Sequence, residues 1–317
     1  MKKSLIALAV VALSGAAMAQ SSVTLYGVAD AGIGKIKSGG NDSSNKAQFT
    51  SASTMNNGDS RLGVRGVEDL GAGLKIGFNF ETGLDLDDGA TTTSSFWARQ
   101  ANLSVGGNWG TVKLGRQFTP SYLTTATYEV TGTANYSALG KTYRYAGIGS
   151  RANSAFAYIT PNFGGFTAAA AYVSKNDVGA NVWDLGLMYN NGPIAAGLSA
   201  NKVSGGKTNY QLGGKYSFGN FALAASYNQA SDAGGLRRRG ASIGGSATFG
   251  ATSIALDLTR DTKNEWTGKK YTNGLVEAKY ALSKRTFVYG AFLRLDDTNN
   301  YGVGWLSNPR STSACSR

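Results

Sequence analysis

The sequence predicts an all-β protein, a transmembrane antiparallel β-barrel of about 16 strands, and three observations carry that prediction. Apolar and polar residues alternate with period two along almost the whole chain. The 44 glycines stand against only 4 prolines, and no run after residue 19 is apolar and long enough to cross a bilayer as a helix. The 16 tyrosines, 13 phenylalanines and 5 tryptophans argue against disorder, which leaves a chain of strands joined by many tight turns.

Before the first strand, Lys2 and Lys3 precede an apolar run over 5–13 that closes on Ala17, Met18 and Ala19, the pattern of a secretory signal peptide cleaved after Ala19. The run is about half of the roughly 20 residues that a spanning helix needs. Strands follow at 22–35, 61–67, 74–81, 99–105, 111–118, 152–159, 166–173, 182–189, 194–200, 210–218, 221–227, 241–249, 253–258, 275–282 and 287–293. A last one opens at Tyr301, with Val303 and Trp305 on the same face. The alternation is cleanest in "LKIGFNFE" (Leu74, Ile76, Phe78 and Phe80 against Lys75, Gly77, Asn79 and Glu81), in "VWDLGLMY" and in "YQLGGKYSF".

The connections alternate in length. "VEDLGAG", "GGNWG", "TPNFGG", "YNNGP", "SFGN", "TFGA" and "LSKRT" are short, and the long ones lie near 36–59, 85–96, 119–151, 174–181, 201–208, 229–240, 259–272 and 294–300. Short turns on one rim and long loops on the other are the habit of outer-membrane barrels. A β-sandwich or lectin would alternate too, with its apolar faces inward, but about 298 residues after the leader are awkward as one sandwich without a helical layer. A barrel in lipid satisfies every backbone group and has no edge. Tyr26, Trp109, Phe163, Tyr189, Phe218 and Phe249, near strand ends, are the candidates for interfacial girdles.

Composition narrows the function classes. Loss of Lys2 and Lys3 with the leader takes the net charge from +12 to +10, a balance that favours anionic partners, and export makes nucleic acid the least suitable of them. One cysteine, Cys315, excludes an intrachain disulfide. The absence of histidine excludes a Ser-His-Asp arrangement and histidine metal sites. "LDLDDG" resembles the start of a calcium loop, yet the twelfth position from Asp85 is Phe96 where a bidentate Glu belongs, so it reads as a solvated loop. No metal or cofactor is expected.

"SSVTLYGVADAGI", "SRLGVRGVEDLGAGLKIGFNFE", "NWGTVKLGRQFTP", "TPNFGGFTAAAAY" and "YALSKRT", five landmarks in order from about residue 21 to 304, resemble the Gram-negative general porins of betaproteobacterial and neisserial type. The resemblance implies a 16-stranded homotrimeric barrel in outer-membrane lipid and lipopolysaccharide, with an aqueous channel per protomer for small solutes, anionic ones preferred. It also implies that the third long loop folds into the lumen. That loop, residues 119–150, carries the acid Glu129 against Lys141 and Arg144. By motif, the arginine cluster that faces this loop in anion-selective members matches Arg61 of "SRLG", Arg99 of "ARQANLSV" and Arg151 of "SRANSAF".

Strand parity supports Arg61: with Leu62 and Val64 toward lipid, Arg61, Gly63 and Arg65 face the lumen, whereas Arg61 on the lipid face at mid-depth would cost roughly 2 to 4 kcal/mol. Leu103 and Val105 share the parity of Arg99 and would draw it outward in a regular strand, unless a bulge or a subunit interface intervenes. Arg151 sits at a loop-to-strand junction, where parity says little, and each of the three also fits a solvated charge near a rim. Lys75, Lys113 and Lys215 lie on polar faces, as a basic track or as ordinary lumen charges. "LRRRG" falls in a long loop, where residues 237–239 are either a solvated charge run or a contact for lipopolysaccharide phosphates.

The rival classes are a non-conducting structural or adhesive barrel, which a plugged lumen would mark, and a barrel hydrolase, for which no Ser-Lys pair stands out. The expected organisation is a signal peptide over 1–19, a barrel over 20–304 and an atypical tail over 305–317. In the porins resembled, the last strand ends in an aromatic residue, usually Phe, whereas "WLSNPRSTSACSR" is polar and contains Pro309, which cannot donate to a ladder. A reading-frame change or altered 3′ end accounts for so abrupt a departure, and a natural solvated extension is the alternative.

Overall fold

The computed structural model describes residues 22–35, 46–175, 179–232 and 234–296. The predicted signal peptide, the strand opening at Tyr301 and the tail over 305–317 lie outside the described residues. The elements in chain order are β1 (Ser22–Val28), a small hairpin of β2 (Gly32–Gly34) and β3 (Gln48–Thr50), β4 (Arg61–Gly71), β5 (Leu74–Gly83), β6 (Gln100–Gly107), β7 (Gly110–Phe118), α1 (Pro120–Tyr128) and α2 (Ala138–Tyr143). There follow β8 (Arg151–Ile159), β9 (Phe166–Val173), β10 (Val182–Asn191), β11 (Ile194–Val203), β12 (Asn209–Phe218), β13 (Phe221–Ser231), β14 (Arg237–Phe249), β15 (Thr252–Asn264), β16 (Thr272–Ala281) and β17 (Phe287–Arg294).

β1 and β4 to β17 form one 15-stranded sheet in which each strand pairs antiparallel with its neighbour in the chain. Such a meander has two edges, and among the described residues they approach through one side chain: the Tyr289 hydroxyl of β17 donates to the Asp30 carboxylate just beyond β1 at 2.6 Å and accepts from the Asn57 amide at 2.9 Å. The sheet therefore curls back on itself as a barrel wall. A sandwich, with two stacked sheets, is not what the pairing describes.

The sides of the wall are inverted relative to a soluble protein. Leu185, Leu198, Leu212, Leu223, Ile243, Leu256, Leu258 and Val276 point outward and are exposed, while Asp184, Asn201, Gln211, Asn228, Asp257, Asn273 and Glu277 point inward and are buried. Apolar side chains face outward because the surroundings are hydrocarbon, and polar ones line the interior because they need partners there. Glycine shapes the turns of the short rim. Gly71, Ala72 and Gly73 all have positive φ between β4 and β5, a stretch that costs a non-glycine residue strain and leaves only Ala72 to bear it.

Aromatic rings line the short-turn rim. Trp109 stacks on Tyr158 at 6.3 Å, Phe166 meets Tyr189 at 4.5 Å, and Phe218, Phe221 and Phe249 pack in series at 5.8 and 5.6 Å. Tyr26 does not belong to this girdle. It points into the lumen, where its hydroxyl donates toward Asn79 at 2.8 Å and Glu81 at 2.9 Å, because Val23 and Leu25 take the outward face of β1.

Two predicted loops are shorter than expected. β13 runs to Ser231 and β14 starts at Arg237, so "LRRRG" is the start of a strand rather than part of a loop, and β15 continues to Asn264. Alternation persists there, since Arg238 turns inward onto Asp261 at 2.8 Å. "LDLDDG" forms a small turn in which Asp85 and Asp88 accept the Asp87 and Ala90 amides at 3.1 and 2.8 Å.

Leu212 stands outward in the middle of β12 with 57% of its surface exposed. Leu212→Arg is expected to lower stability by about 2–4 kcal/mol, against less than about 1 kcal/mol for Lys215→Ala on the inner face, as read by urea-dependent folding into lipid vesicles.

Candidate functional site

The site is built by residues 119–150, which leave the wall after β7 and fold inside the barrel. Thr119 closes the neck, its amide donating to the Ser150 carbonyl at 3.1 Å and its hydroxyl to that of Gly149 at 2.8 Å. The same hydroxyl caps α1 by accepting the Tyr122 amide, and Pro120 at the first helical position needs no donor there. The buried face of α1 lies on β10 to β12. Ser121 donates to Asp184 through its amide at 2.8 Å and its hydroxyl at 2.6 Å, and Thr125 donates to Gln211 at 3.0 Å. Tyr128 lies flat over Gly213, where an added Cβ would fall 2.4 Å from its ring.

Beyond α1 the chain turns around Glu129, which accepts the Thr131 amide and hydroxyl at 2.8 and 2.7 Å, the Thr133 amide at 2.7 Å and the Ser137 hydroxyl at 3.0 Å. Then α2 crosses to the opposite wall. The Leu139 amide donates to Asp257 at 3.0 Å, Asn273 donates to Thr142 at 2.8 Å, and the Tyr136 hydroxyl donates to Glu277 at 2.6 Å. Burial and that carboxylate raise the Tyr136 pKa, so the hydroxyl keeps its proton. The segment is thus fastened from β10 round to β16, and the inner wall of β4 to β8 is left facing it.

On that wall the arginines gather. Arg61 lies 3.8 Å from Glu81, and Arg99 pairs with Glu81 at 2.7 Å and with Asp59. Asp59 in turn accepts from Asn135 of the inserted segment at 2.6 Å, which ties the cluster to the opposite face of the passage. The Arg151 guanidinium sits 4.6 Å from the centre of the Phe118 ring, and that of Arg65 5.4 Å from the Tyr26 ring. Four guanidiniums thus share the wall with the two carboxylates that face them.

Arg99 reaches the lumen because it stands at a bend immediately before β6 rather than in it, held by its own amide on the Glu81 carbonyl at 3.0 Å; neither a bulge nor a subunit interface is needed. Lys141, at the end of α2, is exposed and reaches Thr54 at 3.1 Å, so the segment around residues 53–59 forms a further side of the passage. Glu129 does not line the passage: it is buried and spent on the turn inside the segment. Arg144 caps α2 in a left-handed conformation at φ 47° and is half-buried, which lowers its pKa.

The lysines are not one track. Lys75 is exposed beside the short turn, 3.8 Å from Asp69, while Lys113 and Lys215 are half-buried on the inner faces of β7 and β12. Sequence reasoning missed Asp59, Glu81 and Lys279, which bridges Glu277 at 3.0 Å and the Thr131 carbonyl at 3.3 Å. The polar parity of Glu81 in "LKIGFNFE" was the one available signal. No cluster of metal-ligating side chains occurs among the described residues.

Comparison with known proteins agrees with this geometry. A family model described as Gram-negative porin matches residues 5–300. The chain is 37% identical to outer membrane porin protein 32 of Delftia acidovorans over 96% of this chain and 92% of that one. It is 31% identical to the major outer membrane protein P.IB of Neisseria gonorrhoeae over 60% of this chain and 54% of that one. In three dimensions it is similar to an anion-selective porin from Comamonas acidovorans, with a TM-score of 0.71 and 29% identity over 87% of this chain and 90% of that one.

The close seat of Tyr128 on Gly213 generates a test. Gly213→Val is expected to overpack the seat by about 1–2 kcal/mol and to raise tryptic cleavage at Lys141 of the folded protein by about five- to thirtyfold. Gly214→Val, on the outer face, is expected to leave the cleavage rate unchanged.

Proposed function

Given that the chain belongs to the Gram-negative porins, outer-membrane channels for passive diffusion and not enzymes, we propose that its channel prefers small anions and that Arg61, Arg99 and Arg151 set that preference. The observation that carries the reading is the excess of guanidinium over carboxylate on the one stretch of wall that residues 119–150 leave open. Fixed cations in a narrow, poorly screened passage raise the local concentration of anions and lower their barrier to passage. Because Glu81 and Asp59 hold part of the charge, an anion meets no site tight enough to trap it. Arg65, Lys113, Lys215 and Lys141 extend the positive lining above and below, and Lys75 marks the short-turn rim.

The unit that does this is a homotrimer set in outer-membrane lipid, with lipopolysaccharide as its outer-leaflet neighbour, formed by residues 20–304 after removal of the leader 1–19. Heat-sensitive migration of the folded oligomer in SDS, with one mass three times that of the denatured chain, is the expected behaviour.

Selectivity is tested by reversal potentials across planar bilayers under a KCl gradient. A unit charge about 6 Å from a permeating ion in a water-like medium contributes roughly 0.7 kcal/mol, in favour of an anion and against a cation, so Arg61→Ala is expected to lower the anion-to-cation permeability ratio about tenfold. Glu81→Gln, which removes the carboxylate between Arg61 and Arg99, is expected to raise it by a similar factor. Cation preference in the wild type, or no change in either variant, would overturn the proposal.

A further inference from the structure

Three aromatic rings stand where residues 119–150 leave and rejoin the wall. Phe118 is the last residue of β7, Tyr122 lies in the first turn of α1, and Tyr145 follows α2. Phe118 and Tyr122 are nearly parallel, with ring centres 4.7 Å apart and planes 14° apart, and Tyr145 meets Tyr122 edge-on at 5.0 Å. The guanidinium of Arg151, across the neck at the start of β8, rests 4.6 Å from the centre of the Phe118 ring. Cation and rings thus form one continuous series, and each of the four side chains is partly exposed. Since Ser121, Thr124, Thr125 and Tyr128 make the buried face of α1 against the wall, the uncovered part of Tyr122 faces the water of the lumen.

Holding Tyr122 in this place costs backbone strain. Its hydroxyl shares a hydrogen bond of 2.9 Å with that of Thr133, and its ring takes the edge of Tyr145. Both of those residues are left-handed, at φ 59° and 56°. Tyr145 also stands within an unbroken left-handed run from Arg144 at 47° through Ala146 at 55° to Gly147 at 86°. A residue with a Cβ is disfavoured in that region, and a β-branched threonine most of all. Strain of this kind gathers at ligand clamps and other functional positions, where the surroundings over-determine it.

The charge beside the rings is differently placed from its neighbours. Arg61 and Arg99 both contact Glu81, and Arg99 also contacts Asp59, whereas no carboxylate pairs with Arg151 among the described residues. The Arg151 Nη1 donates to the Ser150 hydroxyl at 3.3 Å, and its Nε is shielded from water without a hydrogen-bond partner among the described residues. A guanidinium donates in its own plane, so laying one face on Phe118 leaves the outer edge of the fork for an anion.

We propose that Arg151, Phe118 and Tyr122 form a subsite in the constriction for planar aromatic carboxylates, of which benzoate is the simplest. Arg151 takes the carboxylate, and the ring of the solute lies against those of Phe118 and Tyr122. The proposal deepens the reading of an anion-preferring channel and rests on it. An inorganic anion uses the charge alone. A saturated ring acid of the same size meets the same charge, but its puckered ring has no π face to set against the aromatic pair. An aromatic ring gains the stacked or edge-on contact beyond its area of burial, and it can also approach the guanidinium as Phe118 does. A single unpaired cation and a partly exposed ring pair hold such a solute weakly enough to release it.

The test uses the folded oligomer in planar bilayers at neutral pH. Chloride conductance is followed as potassium benzoate or potassium cyclohexanecarboxylate is added at fixed ionic strength. The two acids share charge and approximate size and differ in flatness and π electrons. The half-blocking concentration of benzoate is expected to lie about two- to tenfold below that of cyclohexanecarboxylate. Tyr122→Leu is expected to bring the two values together and Phe118→Leu to narrow the gap, while Tyr122→Phe, which keeps the ring, retains it. Tyr145 is a positioning residue, so Tyr145→Leu is expected to narrow the same gap. Arg151→Gln is expected to raise both half-blocking concentrations about tenfold.

Equal half-blocking concentrations in the wild type would overturn the proposal, and that comparison needs no variant to fold. A benzoate preference that survives unchanged in folded Tyr122→Leu and Phe118→Leu would overturn it too, as would an unchanged block in Arg151→Gln. A KCl reversal potential without anion preference sinks the functional proposal on which this one rests. Anion preference in KCl with equal block by the two acids sinks this one alone.

Discussion

Hydrocarbon offers no hydrogen bonds, and the rest of the architecture depends on that. Every amide and carbonyl of the wall has to find its partner within the wall, so the chain lays down neighbour on neighbour as one antiparallel meander, whose described edges approach each other through the Tyr289 and Asp30 side chains. The same solvent inverts the faces. Leucine, isoleucine and aromatic residues stand outward, and a lumen lined with asparagine, glutamine, serine, threonine and carboxylates remains inside.

That polar lining is what a wet interior can use as an anchor. Residues 119–150 bury a small cluster of their own, Tyr128, Leu139 and Tyr143, and are fastened to the wall by a sequence of hydrogen bonds from Asp184 and Gln211 on one side to Asp257, Asn273 and Glu277 on the other. Glycines at the seat let the segment approach the backbone itself, as Tyr128 does on Gly213. Fastening the segment to one side of the barrel leaves the other side, with Arg61, Arg99 and Arg151, facing it across the lumen. Glu81 and Asp59 stand among these guanidiniums and hold Arg61 and Arg99 in place.

How far the sequence was legible depended on whether a residue sat within a regular repeat. Arg61 was readable because Leu62 and Val64 define the outward face beside it. Arg99 was not, because the rule that Leu103 and Val105 impose applies only from Gln100 onward, and the bend before β6 releases Arg99 from it. Tyr26 looked like an interfacial ring by its nearness to a strand end, but pairing with Gly63 opens room for it inside the lumen. Glu129 looked like a passage charge by its place in the segment; the turn it organises is a matter of four local donors that no period reveals. The arginines over 237–239 read as loop because charge runs usually are, and only continuation of the β14 ladder divides them between the two faces.

By itself the sequence determined the period, the order and approximate number of strands, the long and short rims, and the excess of positive charge. These are local or compositional quantities, written in the spacing of apolar side chains and turn residues. Which cations meet, which acids temper them, and where residues 119–150 come to rest were decided only by the tertiary structure. Arg99 is 40 residues from Asp59, and Tyr136 is 141 from Glu277. Such pairs exist because closing the wall brings distant strands around one water-filled space, and no local pattern encodes that closure.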